Sequence, residues 1–88
     1  MDIKDLFADV PGGPVGEDVV EFAGRVDSVL ASDHGVGLLD LLPEGDTELF
    51  AAARRSLALH LGTVIYDEYE GGANADDVAR QLADEAGF

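Results

Sequence analysis

The chain has 88 residues, of which 19 are acidic and only five basic, and its formal net charge is −14. The scarcity of lysine and arginine argues against direct binding to nucleic acid or to an anionic membrane, because neutralising phosphates needs basic side chains. There is no cysteine, which excludes disulfides, thiolate catalysis and cysteine-ligated zinc, while a hydrophobic content of 47% predicts one folded, acidic helical domain over residues 1–88.

The first two predicted helices lie in the N-terminal third of the chain. Apolar residues recur at the i, i+3, i+4 and i+7 positions of residues 2–10, which is one face of a short helix. The Pro-Gly-Gly-Pro segment 11–14 ends it. The second helix, residues 17–32, has an apolar inner stripe and a charged outer face. Gly35 is suited to the left-handed position after it.

A short third helix is predicted over residues 36–42 and ends at Pro43. Its four leucines cover too much of the helix circumference for an exposed element. We therefore expect this segment to be held in the core or against a partner.

The fourth helix, residues 47–70, is predicted to be the central one. Asp46 or Thr47 can cap its start, and apolar residues repeat with a period near 3.6 from Phe50 onward as an inner stripe. Gly62 and the β-branched residues after it offer an alternative, the start of a strand. Because the chain contains no second convincing strand to pair with, we predict that this segment stays helical.

The fifth helix covers residues 75–86, with Asn74 as its cap and Gly87 and Phe88 as its stop. The predicted fold is therefore all-α, a compact bundle of five helices. The predicted helices span residues 2–10, 17–32, 36–42, 47–70 and 75–86.

The N-terminal residues lack the pattern of a signal peptide, which is a charged region followed by an apolar stretch. The longest apolar stretch, residues 57–66, is far shorter than the roughly 20 residues that span a bilayer. We expect a cytoplasmic protein that does not enter a membrane.

The acidic surface has two physical explanations. In a cell with molar internal salt, the Debye length is about 3 Å, so self-repulsion is screened and a shell of carboxylates keeps the protein hydrated. Alternatively, the carboxylates imitate nucleic-acid phosphates and occupy a basic cleft on another protein. The acidic residues are spread from Asp2 to Glu85 without a long run of like charge, whereas a mimic would be expected to arrange its charge along one face, and this favours the first explanation.

The two histidines are candidate functional residues. His34 lies at a predicted helix end, where a protonated imidazole interacts favourably with the helix dipole and nearby carboxylates. His60 shares a helical face with Thr63 and Asp67, which together could ligate a cation, although a buried or interface histidine is the simpler interpretation. Neither histidine has the neighbours of a catalytic base.

The segment Tyr66, Asp67, Glu68, Tyr69 and Glu70 is the candidate partner-binding site. Tyrosines are enriched at protein interfaces, and the surrounding carboxylates would steer a basic partner. The alternative is that Tyr66 packs inward and the other residues form an ordinary solvated helix end.

The chain offers no nucleophile with a base, no metal site and no cofactor loop, so we predict a non-enzymatic protein without cofactors. The predicted function is a protein–protein interaction module, or a small subunit of an assembly, from a salt-adapted cytoplasm. Its partner would be another protein or a second copy in a homo-oligomer. The alternative is an acidic inhibitor, antitoxin or nucleic-acid mimic that blocks a basic cleft.

Overall fold

The structure is a computed structural model that describes residues 2–11 and 15–87. Most of the described residues lie in three α-helices. They are α1 (Glu17–His34), α2 (Glu48–Glu70) and α3 (Ala75–Ala86). Two short 3-10 helices complete the described part, one N-terminal (Ile3–Phe7) and one in the linker between α1 and α2 (Leu39–Leu41). The all-α prediction is confirmed, since the described residues contain no strand.

The predicted count of five helices is not confirmed, because two of the described elements are short 3-10 helices. Residues 2–10 form only the five-residue 3-10 helix, which Asp5 caps by accepting a hydrogen bond from the Asp2 backbone N–H at 2.8 Å. The predicted stop that follows, residues 12–14, lies outside the described residues, as does Phe88.

The helix predicted over residues 36–42 is reduced to the 3-10 helix Leu39–Leu41 for a physical reason. The backbone N–H of Gly37 donates to Asp40 at 2.8 Å, and that of Leu38 donates to Asp27 of α1 at 2.7 Å. Side-chain carboxylates thus replace the carbonyls of a preceding helical turn, so no α-helix is built here. Leu38 and Leu42 are nevertheless buried, as predicted for a segment held in the core.

The predicted ends of the three α-helices are close to the observed ones. Helix α1 runs two residues further than predicted, and Gly35 ends it with φ 73°, a left-handed conformation that favours glycine. Thr47 and Asn74 cap α2 and α3 by accepting hydrogen bonds from Phe50 and Asp77. The segment after Gly62 is helical, as predicted.

The core lies where α1 and α3 pack against each other and the C-terminal part of α2 and the N-terminal 3-10 helix close over them. None of the described helices has the length and apolar character needed to cross a membrane. The buried apolar side chains are Leu6, Phe7, Val10, Val19, Phe22, Ala23, Val26, Leu30, Leu38, Leu42, Ala58, Leu61, Ile65, Val78, Ala79, Leu82 and Ala83.

Helix α2 is unevenly covered along its length. Its fully buried residues begin only at Ala58, and among residues 48–57 Leu57 packs partly buried against the core. The stripe predicted from Phe50 onward is exposed in its first part, where Phe50 is 42% exposed and Ala53 is also exposed. The first half of the longest helix is thus less covered than the second.

Candidate partner-binding surfaces

The predicted tyrosine site lies at the C-terminal end of α2. The structure brings its five residues together in one helical turn and a half, with Asp67 and Glu70 exposed and Tyr66, Glu68 and Tyr69 half-buried. Whether this patch binds a partner stays a prediction.

Tyr69 has a defined place in the fold. Its ring lies against Phe22 of α1, with the ring centroids 5.2 Å apart and the planes inclined at 59°. Its hydroxyl donates a hydrogen bond to Oδ2 of Asp18, in the first turn of α1, at 2.7 Å. A tilted aromatic pair and a charge-assisted hydrogen bond therefore connect the end of α2 to the start of α1.

This hydrogen bond shifts the pKa of both partners in opposite directions. It is the main cause that lowers the pKa of the Asp18 carboxyl below its usual 3.8, helped by the backbone N–H of Val19. The same bond raises the pKa of Tyr69 above its usual 10.0, because phenolate would lose the donor and face a carboxylate. The pair is therefore most stable with Asp18 charged and Tyr69 neutral.

Tyr66 has looser surroundings than Tyr69. It packs partly against the core, and its pKa is raised chiefly by the negative charge of Glu70. Of the five predicted site residues, Tyr69 is thus the one with a clear structural role, and Tyr66 with the exposed carboxylates forms the accessible part of the patch.

The structure exposes a second surface that the sequence interpretation missed. It lies on the first three turns of α2, where apolar and small residues recur at i, i+3, i+4, i+7 and i+10 and all are exposed. Leu49 is 78% and Leu59 37% exposed, which makes them two of the most accessible large hydrophobic side chains of the described chain. We call this surface the α2 outer face; its members are Leu49, Ala52, Ala53, Ser56 and Leu59.

The α2 outer face lies within a stretch without carboxylates. No acidic residue occurs in the 18 positions 49–66, although 19 acids in 88 residues would place about four there if spread evenly. This gap in the acidic pattern was visible in the sequence and is the signal that could have located the surface. An exposed helix face that lacks the charge found elsewhere on the molecule is typical of an interaction site.

Arg54 fixes the start of α2 in place. Its Nε donates to the carbonyl oxygen of Pro43 at 3.0 Å and its Nη2 to that of Gly45 at 3.1 Å. The ring of Phe50 closes over Gly45, where a Cβ would overlap it. The exposed first turns are therefore attached to the preceding loop and not left as a fraying helix end.

His60 borders the α2 outer face and contacts α3. Its Nε2 lies 3.1 Å from Oε2 of Glu85, and both side chains are about half exposed. His60 is therefore not buried and lies against a carboxylate, and a role at an interface stays a prediction. His34 is the last residue of α1, at the helix end where it was predicted.

Within residues 2–11 and 15–87, no three His, Cys, Asp or Glu side chains come together as a metal site. A cleft of about 230 Å³ between the N-terminal 3-10 helix and α2 is lined by Asp5, Asp9, Arg54 and Arg55 with apolar neighbours. Its charged groups all belong to exposed or half-exposed residues.

Comparisons with protein-family models, with curated proteins and with solved structures found no match to this chain. Its function has to be inferred from the chemistry of its surface.

Proposed function

We propose that the chain is a non-enzymatic protein–protein interaction module of a salt-adapted cytoplasm, and that its α2 outer face binds the partner. The observation that carries the proposal is the exposure of Leu49 and Leu59 on the side of α2 that faces away from the core. Covering these side chains on association removes apolar area from water at about 25 cal/mol per Å².

Charge supports the same assignment. Every described helix carries carboxylates, but residues 49–66 of α2 carry none, and none of the described carboxylates is buried. A protein of net charge −14 repels other acidic proteins, so association is least costly where carboxylates are absent. The α2 outer face has no carboxylate of its own, and where Asp5 and Asp9 line the cleft beside Leu59, Arg55 adds a positive charge.

The tyrosine patch is a second candidate surface for the same function. What supports it is the half-exposed ring of Tyr66 among exposed carboxylates, which fits a basic partner. Tyr66→Ala tests this patch without breaking the bond between Tyr69 and Asp18. If Tyr66→Ala loses the partner while a charge placed on the α2 outer face, Ser56→Glu, does not, the function belongs to the patch.

The spread of carboxylates over all three helices favours solvent adaptation over a mimic of nucleic acid, which would concentrate them on one face. A complex of the mimic with a basic cleft would also weaken steeply as salt rises. Salt dependence of binding therefore separates the two functions.

The proposal is tested with two matched serines in the middle of helices. Ser56 on the α2 outer face and Ser28 on α1 are both exposed, so Ser56→Glu and Ser28→Glu add the same charge at different places. Tagged wild type and both variants are recovered from the cells that make the protein, in molar KCl, and co-purifying chains are quantified by mass spectrometry. We expect Ser56→Glu to lose the partner at least about tenfold and Ser28→Glu to retain it. Equal recovery by all three would show that the α2 outer face is not the binding surface.

A further inference from the structure

We propose that residues 2–10 form a strap, a segment that opens as a unit while the three α-helices stay folded, and that its opening regulates how much apolar surface α2 presents. The strap contains the N-terminal 3-10 helix and lies against α2 and α1. Whether the α2 outer face binds a partner does not affect this inference, because the contacts that attach the strap to the helices carry it.

The hydrogen bonds of the strap are internal. The backbone N–H of Asp2 donates to the carboxylate of Asp5 at 2.8 Å, and that of Val10 donates to the carbonyl oxygen of Phe7 at 3.4 Å. Among the described residues, every hydrogen bond of the strap joins two of its own members. The strap can therefore leave α1 and α2 without breaking a hydrogen bond to either helix.

Apolar side chains attach the strap to the helices. Leu6, Phe7 and Val10 are at most 5% exposed and belong to the core. The backbone of Leu6 also lies directly on Gly62 of α2, where a Cβ would overlap the carbonyl oxygen. Because burial of apolar side chains is favourable, the closed form predominates. These three side chains are lost from the core together when the strap opens.

Clefts border the strap on both sides. One of about 560 Å³ lies between Phe7 of the strap and Val20 near the start of α1. The other, of about 230 Å³, lies between Leu6 and Ala58 of α2. Segments with few contacts at their edges and no hydrogen bonds to their neighbours open locally at a lower free-energy cost than global unfolding.

The helices are held together by contacts outside the strap. Helices α1 and α3 pack against each other, and Tyr69 of α2 donates a hydrogen bond to Asp18 of α1 at 2.7 Å. His60 of α2 lies 3.1 Å from Glu85 of α3. These contacts use no residue of the strap, so all of them persist when it opens.

Opening uncovers part of α2 beside the α2 outer face. Gly62 loses the cover of Leu6 and Val10, and Ala58 loses the strap from its side of the cleft. Leu59, which is exposed in the closed form, is a neighbour of Gly62 on the helix surface. The apolar surface of α2 is therefore larger in the open form and continuous with the α2 outer face.

The chain has no cysteine, so single cysteine variants report opening without background. Val10→Cys in the strap and Val26→Cys in α1 are matched, because each replaces a valine that is at most 5% exposed. Each variant reacts with iodoacetamide in molar KCl, and its rate is divided by the rate of the same variant unfolded in urea. We expect Val10→Cys to react at least about 30-fold faster than Val26→Cys.

Tyr69→Phe shows whether the strap opens separately from the helices. This substitution removes the hydrogen bond to Asp18 and favours global unfolding, but it does not alter the strap. We expect it to accelerate the reaction of Val26→Cys at least about threefold and to leave that of Val10→Cys within about twofold. Equal reaction rates of the two cysteines, or equal acceleration by Tyr69→Phe, would mean that the strap opens only when the whole chain unfolds, and this overturns the inference.

Amide hydrogen exchange of the wild type makes the same comparison without a cysteine, and it decides the question if Val10→Cys does not fold. We expect the amides of the strap to be protected at least about 30-fold less than the amide of Val26, with an exchange rate that low concentrations of urea do not change. Exchange of the strap and of Val26 through one common, urea-dependent opening overturns the inference.

Discussion

Gly62 marks the point where the N-terminal 3-10 helix meets α2. A Cβ at this position would overlap the backbone carbonyl oxygen of Leu6 and press on the side chain of Val10. Glycine inside a helix normally costs about 0.5–1 kcal/mol relative to alanine, so helix propensity alone favours replacing it. The close approach of two backbones outweighs that preference, because a carbonyl group cannot give way as a flexible side chain can.

Gly62→Ala should therefore lower the free energy of unfolding by about 1–3 kcal/mol, the range for overpacking a tight contact. Gly24 is the matched control, since it lies inside α1 with no atom within 4 Å of the position of its added Cβ. Gly24→Ala should raise the free energy of unfolding by about 0.5–1 kcal/mol. Urea unfolding followed by circular dichroism in molar KCl measures both. If both variants raised the free energy of unfolding equally, the N-terminal 3-10 helix would not be in close contact with Gly62.

Tyr69 and Asp18 form a bond whose contribution depends on pH. Because folding lowers the pKa of Asp18, its carboxylate stabilises the fold above pH 3.8, and this contribution is lost as the pH falls through the folded-state pKa. Because folding raises the pKa of Tyr69, its neutral hydroxyl stabilises the fold below pH 10.0, and this contribution is lost as the pH rises through the folded-state pKa. Between these limits the bond is fully formed.

Tyr69→Phe should lower the stability by a constant amount across that plateau, with a difference from wild type that shrinks at both ends of the pH range. Urea unfolding at a series of pH values measures this difference. A double-mutant cycle with Asp18→Asn isolates the bond from the aromatic contact with Phe22, which phenylalanine at position 69 retains. A cycle with no coupling at neutral pH would show that the two side chains do not interact in solution.

At the scale of single elements, the first turns of α2 depend on Arg54. Arg54→Met keeps most of the apolar stem but removes both hydrogen bonds to the preceding loop. We expect a loss of about 1 kcal/mol and faster amide hydrogen exchange in residues 44–52. The neighbouring exposed Arg55 is the control, because Arg55→Met leaves those bonds in place. Unchanged exchange in both variants would mean that the loop does not anchor the helix.

The sequence was most informative where caps, stops and periodicity act within one segment. Thr47, Asn74 and Gly35 were recognisable because their roles depend only on the adjacent turn. The shortening of segment 36–42 was not predictable, because Asp27, eleven residues earlier, binds the backbone of Leu38. Periodicity indicated that α2 is amphipathic but not that its first half is largely exposed, since burial there depends on the placement of the other helices.

In the candidate site, too, features within one segment were predictable and contacts between distant residues were not. The clustering of Tyr66 and Tyr69 in one acidic turn was predictable, but the assignment of Tyr69 to a bond with Asp18 was not, because 51 positions separate the two residues. The α2 outer face could be recognised in the sequence as a stretch without acidic residues. Its exposure is a property of the fold.

For the whole molecule, the net charge of −14 predicts that folding needs salt. Below about 0.5 M KCl the carboxylates repel one another with little screening, and we expect the chain to lose its helical circular dichroism. Glu21→Gln with Asp84→Asn reduces the charge by two, from −14 to −12, at exposed positions and should lower the salt needed for folding. A chain that folds equally well in dilute buffer and in molar KCl would require another explanation for its acidity.

The central claim is that an acid-free apolar face, and not the carboxylate surface, makes the contact with a partner. The most direct test measures how much partner the tagged protein retains between about 0.5 M and 3 M KCl, where the chain is folded, as the difference between wild type and Ser56→Glu. Apolar burial and screened repulsion predict that this difference holds or grows as salt rises. A complex that dissociates steeply with salt, and that Ser56→Glu does not alter, would contradict the claim and assign the contact to the carboxylates.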